Sequence, residues 1–158
     1  MGVPVFGSRV AGCPYIKRPS AYAVVRNARG CFALIRTPRG FYLPGGGIEG
    51  SETPEQAIQR EAMEEAGLIL ESQARVGKAV DIVYSVEENA CFEKRSVFIE
   101  ADVVGQIPSR ETDHELIWVE LDDAVCILSQ EGHRWVLQGY RPSGRSQGGN
   151  ETTPSHSS

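Results

Sequence analysis

Between Gly45 and Leu68 the chain reads GGGIEGSETPEQAIQREAMEEAGL, with six glutamates, one arginine and no lysine. Glu61, Glu64 and Glu65 crowd into a single stretch, where like charges at i,i+3 and i,i+4 repel and weaken a helix. Each helical residue advances about 100°, so from Arg60 as origin Glu64 lies at about 40°, Glu61 at about 100° and Glu65 at about 140°. All four side chains share one arc, and the carboxylates converge. Such a cluster is tolerated when water solvates it, when basic residues neutralise it, or when divalent cations bridge it. Hard cations such as Mg²⁺ take carboxylate and carbonyl oxygens.

A solvated face with a local Arg60 ion pair is the ordinary outcome for a charged helix. The glycines shift the reading. Gly45, Gly46 and Gly47 follow Pro44 and make a backbone that turns tightly and presents bare carbonyls and amides. That is how a loop approaches a phosphate or gives an oxygen to a metal.

The elements that must position these groups are well punctuated. Thr53 suits an N-cap, Pro54 the first helical position, and Gln56 completes a capping box. Gly67 is placed to end the helix in the left-handed conformation. Ile58, Ala62 and Ala66 give a narrow apolar stripe that allows close approach to a sheet. Ahead of the helix, residues 20–27 and 31–37 are β-rich runs around a turn, a hairpin signal, and 41–43 read as a short strand. Behind it, 76–86 and 91–105 read as strands joined by a turn, 115–121 as another strand, and 122–139 as a second helical region broken near Gly132. The order predicts an α+β domain, a sandwich of helices around a mixed sheet. Residues 1–19 read as a loosely ordered N-terminal arm with one short strand, 20–141 as the domain, and 142–158 as a disordered tail too polar to order itself.

With the motif in place, the stretch resembles the Nudix box, G-x5-E-x7-R-E-U-x-E-E-x-G-U, where U is a bulky aliphatic residue. Gly46, Glu52, Arg60, Glu61, Glu64, Glu65 and Gly67 occupy all seven fixed positions. At average residue usage a chance match is on the order of 10⁻⁸ per starting point. Ala62 departs from the pattern, being small where the family has a large aliphatic. The flanking segments over about 20–140 are similar to the family's lead-in and late strands.

The resemblance implies a Mg²⁺-dependent hydrolase, with Mn²⁺ as the alternative ion, cleaving a pyrophosphate bond in a nucleoside diphosphate-linked substrate. A MutT-like (deoxy)nucleoside triphosphate pyrophosphohydrolase is the leading expectation. A dinucleoside-polyphosphate hydrolase and a non-catalytic nucleotide sensor are the alternatives; sensors usually lose box carboxylates, and here all are present. By position, Glu64 and Glu65 match the principal metal ligands, Glu61 a ligand or general base, and the Gly46 carbonyl a backbone ligand. Glu52 and Arg60 match a pair that bond each other and hold the loop against the helix. The family often adds a late-loop acid, for which Glu111, Asp113 and Glu115 are candidates. His114 is an alternative base, while His133 reads as structural and His156 falls in the tail. Arg36, Arg39 and Arg95 are candidate phosphate contacts. Tyr84 resembles a marker of the dinucleoside-polyphosphate branch; the ADP-ribose and NADH branch markers are absent.

Bulk composition sets the limits. The 158 residues suit one domain. A net charge of −5 argues against a nonspecific binder of nucleic-acid polymers and leaves room for a small anionic ligand. Cys13, Cys31, Cys91 and Cys126 are scattered, with no zinc or redox spacing, and predict buried thiols in a reducing cytoplasm. No membrane span or leader is expected, and monomer and homodimer both stay open.

Overall fold

The computed structural model describes residues 2–142. The elements run β1 (Val5–Phe6), β2 (Tyr15–Val24), β3 (Phe32–Thr37), β4 (Gly40–Tyr42), β5 (Gly45–Gly47), α1 (Pro54–Ala66), β6 (Leu68–Ser85), β7 (Ala90–Gln106), β8 (Glu115–Val119), α2 (Leu121–Ile127) and α3 (Glu131–Gly139). One mixed sheet has the order β1-β6-β7-β2-β5, with β2 parallel to β7 and β6 antiparallel to it. A second, antiparallel sheet has the order β4-β3-β8.

Alternation along β2 explains the layering. Ala21 and Ala23 point into one apolar cluster with Ala57, Ile58, Ala62 and Ala66 of α1. Tyr22 and Val24 point into the other, with Phe98 and with Ala124, Leu128, Val136 and Leu137 of the last two helices. A strand covered on both faces is apolar at every position, as β2 is from Ala21 onward. The expected α+β sandwich with a mixed sheet is therefore the architecture found.

The central helix forms where its punctuation places it. The Thr53 side chain accepts from the Gln56 N–H at 3.1 Å, and the Gln56 side chain accepts from the Thr53 N–H at 2.9 Å. Gly67 closes the helix with φ 68°. The small residues of the stripe are fully or almost fully buried, so α1 lies close against β2, β5 and β6.

The structure changes the hairpin expectation and adds detail to three other readings. The runs at 20–27 and 31–37 do not pair as a hairpin. Both edges of β2 are taken, by β7 and β5, so β3 crosses to the other sheet, leaving the Arg26–Phe32 bridge and one Ala33 N–H to Val25 O bond of 2.9 Å. The arm boundary at residue 19 falls inside β2, which pairs from Tyr15↔Cys91 onward. The second helical region does break near Gly132, between α2 and α3, with Gly132 in the first turn of α3: its N–H bonds Asp81 Oδ1 at 3.1 Å, and a Cβ there would lie 2.4 Å from Asp81 Oδ2. Cys13 and Cys91, unrelated in spacing, bring their sulfurs to 2.7 Å. The expected tail from 143 onward, with His156, lies outside the described residues.

Both ends of α1 can be tested by urea unfolding. Thr53→Ala loses the capping box and should cost about 1 kcal/mol. Gly67→Ala should cost more, because its Cβ would lie 1.8 Å from the Ile107 carbonyl oxygen at a left-handed φ. Equal small losses would mean the Gly67 turn relaxes freely.

Candidate active site

In the glycine loop Gly45 and Gly46 are closely approached by their surroundings, whereas Gly47 faces open space. Gly45 has φ 146°, and a Cβ there would lie 2.1 Å from the Ala21 carbonyl oxygen. At Gly46 a Cβ would lie 2.7 Å from Glu61 Oε2, so the bare backbone is what lets that carboxylate rest where it does. Beyond the loop Arg60 acts as a clamp. Its Nε and Nη2 donate to Glu52 Oε2 and Oε1 at 2.7 and 3.0 Å, and Nη2 also donates to the Gly47 carbonyl at 3.1 Å. Glu52 Oε1 accepts the Glu49 N–H at 2.9 Å. The guanidinium and that amide hold the Glu52 carboxyl down to about 2.

The remaining acid is poorly compensated. Arg60 Nη1 lies 3.1 Å from Glu61 Oε2 and 3.5 Å from Glu64 Oε1, so one guanidinium serves Glu52, Glu61 and Glu64. Burial pushes Glu61 up despite Arg60. Glu65 has no cation among the described residues; its Oε1 accepts the Gly45 N–H at 3.2 Å. Burial raises Glu65 to about 8, the Gly45 amide offsetting part of this and Glu61, Glu111 and Glu64 adding to it. Glu61 and Glu65 are largely buried carboxylates, Glu65 has no counter-charge among the described residues, and Glu64 stands half-exposed on the same helix; with the bare glycine backbone these are hard-oxygen donors. By donor chemistry Glu61, Glu64, Glu65 and the Gly46 carbonyl are the groups that would hold a divalent cation here.

The loop between β7 and β8 is fastened to the end of α1. The Ile107 N–H donates to Gly67 O at 2.7 Å, and Ser109 Oγ donates to Glu65 O at 2.9 Å. This brings Glu111 close enough to raise Glu65. Glu111, Asp113 and His114 gather, with possible ligand atoms within 4.8 Å of one another. Glu115 does not join them. It opens β8 and forms an ion pair with Arg36 across the strand pair. Neither Arg36 nor Glu115 is among the residues that line the cleft described next, although their neighbours Ile35, Thr37 and His114 are. Arg95 is likewise outside, paired with Glu93.

A cleft of about 660 Å³ opens between the two sheets. Gly45, Gly47 and Glu65 line one part, and Tyr84, Phe92 and Lys94 another. Tyr84 stands at its rim, 56% exposed, with its hydroxyl on Asn89. Arg39 lines the cleft too, paired with Glu87 at 3.0 Å. His133 is structural: fully buried, it accepts the Leu43 N–H on Nδ1 at 3.2 Å and packs on Tyr22 and Phe98. Sequence reasoning missed Arg18, Tyr22, Lys94 and Gln130, which also line the cleft. Period-two alternation puts Phe92, Lys94 and Ser96 on one face, but which face meets the cleft depends on long-range pairing.

Glu65 gives a pH signature. Its folded value of about 8 lies above the unfolded carboxylate value, so the folded chain keeps a proton that the unfolded chain releases. Stability in chelator should fall as pH rises from about 4.5 to about 8. Glu65→Gln should flatten that fall and raise the midpoint at the alkaline end. Parallel pH profiles for the two proteins would contradict the burial argument.

Comparisons with known proteins agree with this geometry. The NUDIX domain model matches residues 16–140. Among curated protein sequences none matches the chain. A Nudix hydrolase from Nitrosomonas europaea superposes with a TM-score of 0.64 at 18% identity, covering 78% of this chain and 88% of that one. The Escherichia coli dihydroneopterin triphosphate pyrophosphohydrolase gives 0.62 at 16%, covering 80% and 97%. A MutT Nudix hydrolase from Burkholderia pseudomallei gives 0.58 at 25%, covering 79% and 98%. With its domain matched over most of its length and every fixed position of the box filled, the chain belongs to the Nudix family.

Proposed function

We propose that the protein is a Mg²⁺-dependent pyrophosphohydrolase, cleaving a pyrophosphate bond in a nucleoside diphosphate-linked substrate, with (deoxy)nucleoside triphosphates as its substrates. The observation that carries this reading is Glu65: a buried carboxylate without a cation, beside Glu61 and Glu64, facing a cleft of nucleotide size. A pyrophosphate supplies the missing partners, since it arrives with divalent cations and needs them.

A divalent cation bound there supplies Lewis acidity, neutralising phosphoryl charge and making water a stronger nucleophile. The chain supplies positioning. The clamp between Arg60 and Glu52 fixes the glycine loop, and the loop fixes the Gly46 carbonyl and the Gly45 amide relative to α1. Glu61 accepts the proton of the attacking water on Oε1, the oxygen that Arg60 does not bond; burial has already raised its affinity for that proton. Water adds to one phosphorus, the bridging P–O bond breaks, and the second phosphoryl group leaves with its oxygen. Because such transfer is mainly positioning and electrostatics, a rigid acidic cage is the main protein component required.

Tyr84 at the rim supports a second substrate class within the same chemistry, dinucleoside polyphosphates, whose far base would meet an exposed ring. A nucleotide sensor is disfavoured by the complete set of box carboxylates.

Incubation with nucleoside triphosphates and dinucleoside polyphosphates, with Mg²⁺ and with chelator, separates these readings by product chromatography. Turnover should require Mg²⁺ and should fall by roughly 10²- to 10³-fold in Glu64→Gln. Tight nucleotide binding with no product would establish the sensor instead.

A further inference from the structure

Arg18, Arg39, Lys94 and His114 bring basic side chains to the cleft lining. Arg18 pairs with Glu88 at 3.4 Å, Arg39 with Glu87 at 3.0 Å and His114 with Asp113 at 2.8 Å. Among the described residues Lys94 has no carboxylate at ion-pairing distance. Its strand partner Asp81 turns instead to the Gly132 amide at 3.1 Å. Lys94 Nζ donates to the Tyr22 hydroxyl at 2.7 Å and to Gln130 Oε1 at 3.4 Å, half-buried on the cleft floor.

These partners are neutral and directional. Tyr22 is held in place by the His133 ring at a centroid distance of 4.2 Å and by Phe98 at 6.2 Å. An ammonium only donates, so Gln130 must turn its oxygen toward Lys94, which leaves its NH₂ group for something else. Among the described residues the third Lys94 N–H has no acceptor either. The result, among those residues, is a pair of donors without an acceptor. A phosphate subsite gathers charge; a lone ammonium framed by a phenol and an amide suits a group with neighbouring acceptors in fixed directions. A purine carrying a keto group at C6 presents O6 and N7, both acceptors, whereas the 6-amino purine presents an N–H₂ donor at the same place. Nearby, the Arg18 guanidinium lies 4.0 Å over the Phe92 ring and offers a flat surface against which a base can rest.

We infer that Lys94, held by Tyr22 and assisted by Gln130, is a specificity-determining residue that reads the keto edge of a purine, so that the site selects 6-oxo over 6-amino purine nucleotides. The inference rests on the nucleotide reading above.

ITP and ATP differ only in the C6 substituent and the proton it places on N1, and serve as the probes. Initial rates with Mg²⁺ give the ratio of their kcat/KM values, and equilibrium binding of their α,β-methylene analogues gives the same ratio without turnover. The wild-type ratio should favour the 6-oxo purine by roughly tenfold or more. Lys94→Met should bring the ratio toward one. Gln130→Glu, which leaves the lysine in place but exchanges a donor for an acceptor, should do the same, and thermal unfolding of both variants checks that they fold. A wild-type ratio near one overturns the inference. So does a loss in Lys94→Met that is equal for both purines, since the ammonium would then hold the phosphate chain. Absence of turnover with the binding ratio intact would refute the hydrolase reading and leave base selection standing.

Discussion

One guanidinium holds the site together. Arg60 forks onto Glu52, reaches the Gly47 carbonyl and borders Glu61 and Glu64. Each contact fixes something different: the loop, the strand of glycines behind it, and the carboxylates beside it. Planarity matters here, because a bidentate fork defines an orientation that an ammonium on a flexible stem does not. The clamp joins the pairing of β5 with β2 and the Gly45 amide bond to Glu65 in holding the glycine run against α1.

The acid exacts a stability cost that the rest of α1 offsets. Glu64 and Glu65 sit in the last turn, where the helix dipole disfavours negative charge, and that turn carries no basic residue. The helix persists because both ends are capped and its small-residue face is buried against the sheet. Ala62, small where the family pattern has a bulky residue, is part of that tight face. Glu65 is then held in a place where its charge is unwelcome. The proposed cation site would account for this conflict between local stability and charge, and a solvated face would not.

Features governed by short-range rules were legible in the sequence. The limits of α1, the arc of Glu61, Glu64 and Glu65, and the pairing of Glu52 with Arg60 all depend on residues within one motif. Features governed by long-range pairing were not. Nothing local says that β2 has both edges occupied, so the expected hairpin opened into two sheets. Arg36 and Glu115 read as separate candidates, a phosphate contact and a late-loop acid, and only the pairing of β3 with β8 sets them opposite one another. Lys94 and Gln130 come from distant elements and meet only because β7 and the start of α3 border the same cleft. Cys13 and Cys91 meet for the same kind of reason, across the parallel pairing of β2 with β7.

Proton release on cation binding tests the central claim most directly. With a value of about 8, Glu65 holds a proton over most of the molecules at neutral pH, and a cation ligand must give it up. Calorimetric titration of Mg²⁺ or Mn²⁺ into the chelator-treated protein, repeated in buffers of different ionisation enthalpy, counts the protons released. The account predicts close to one proton per cation at neutral pH, lost in Glu65→Gln together with most of the affinity. Cation binding that releases no proton, or that is unchanged in Glu65→Gln, would contradict it.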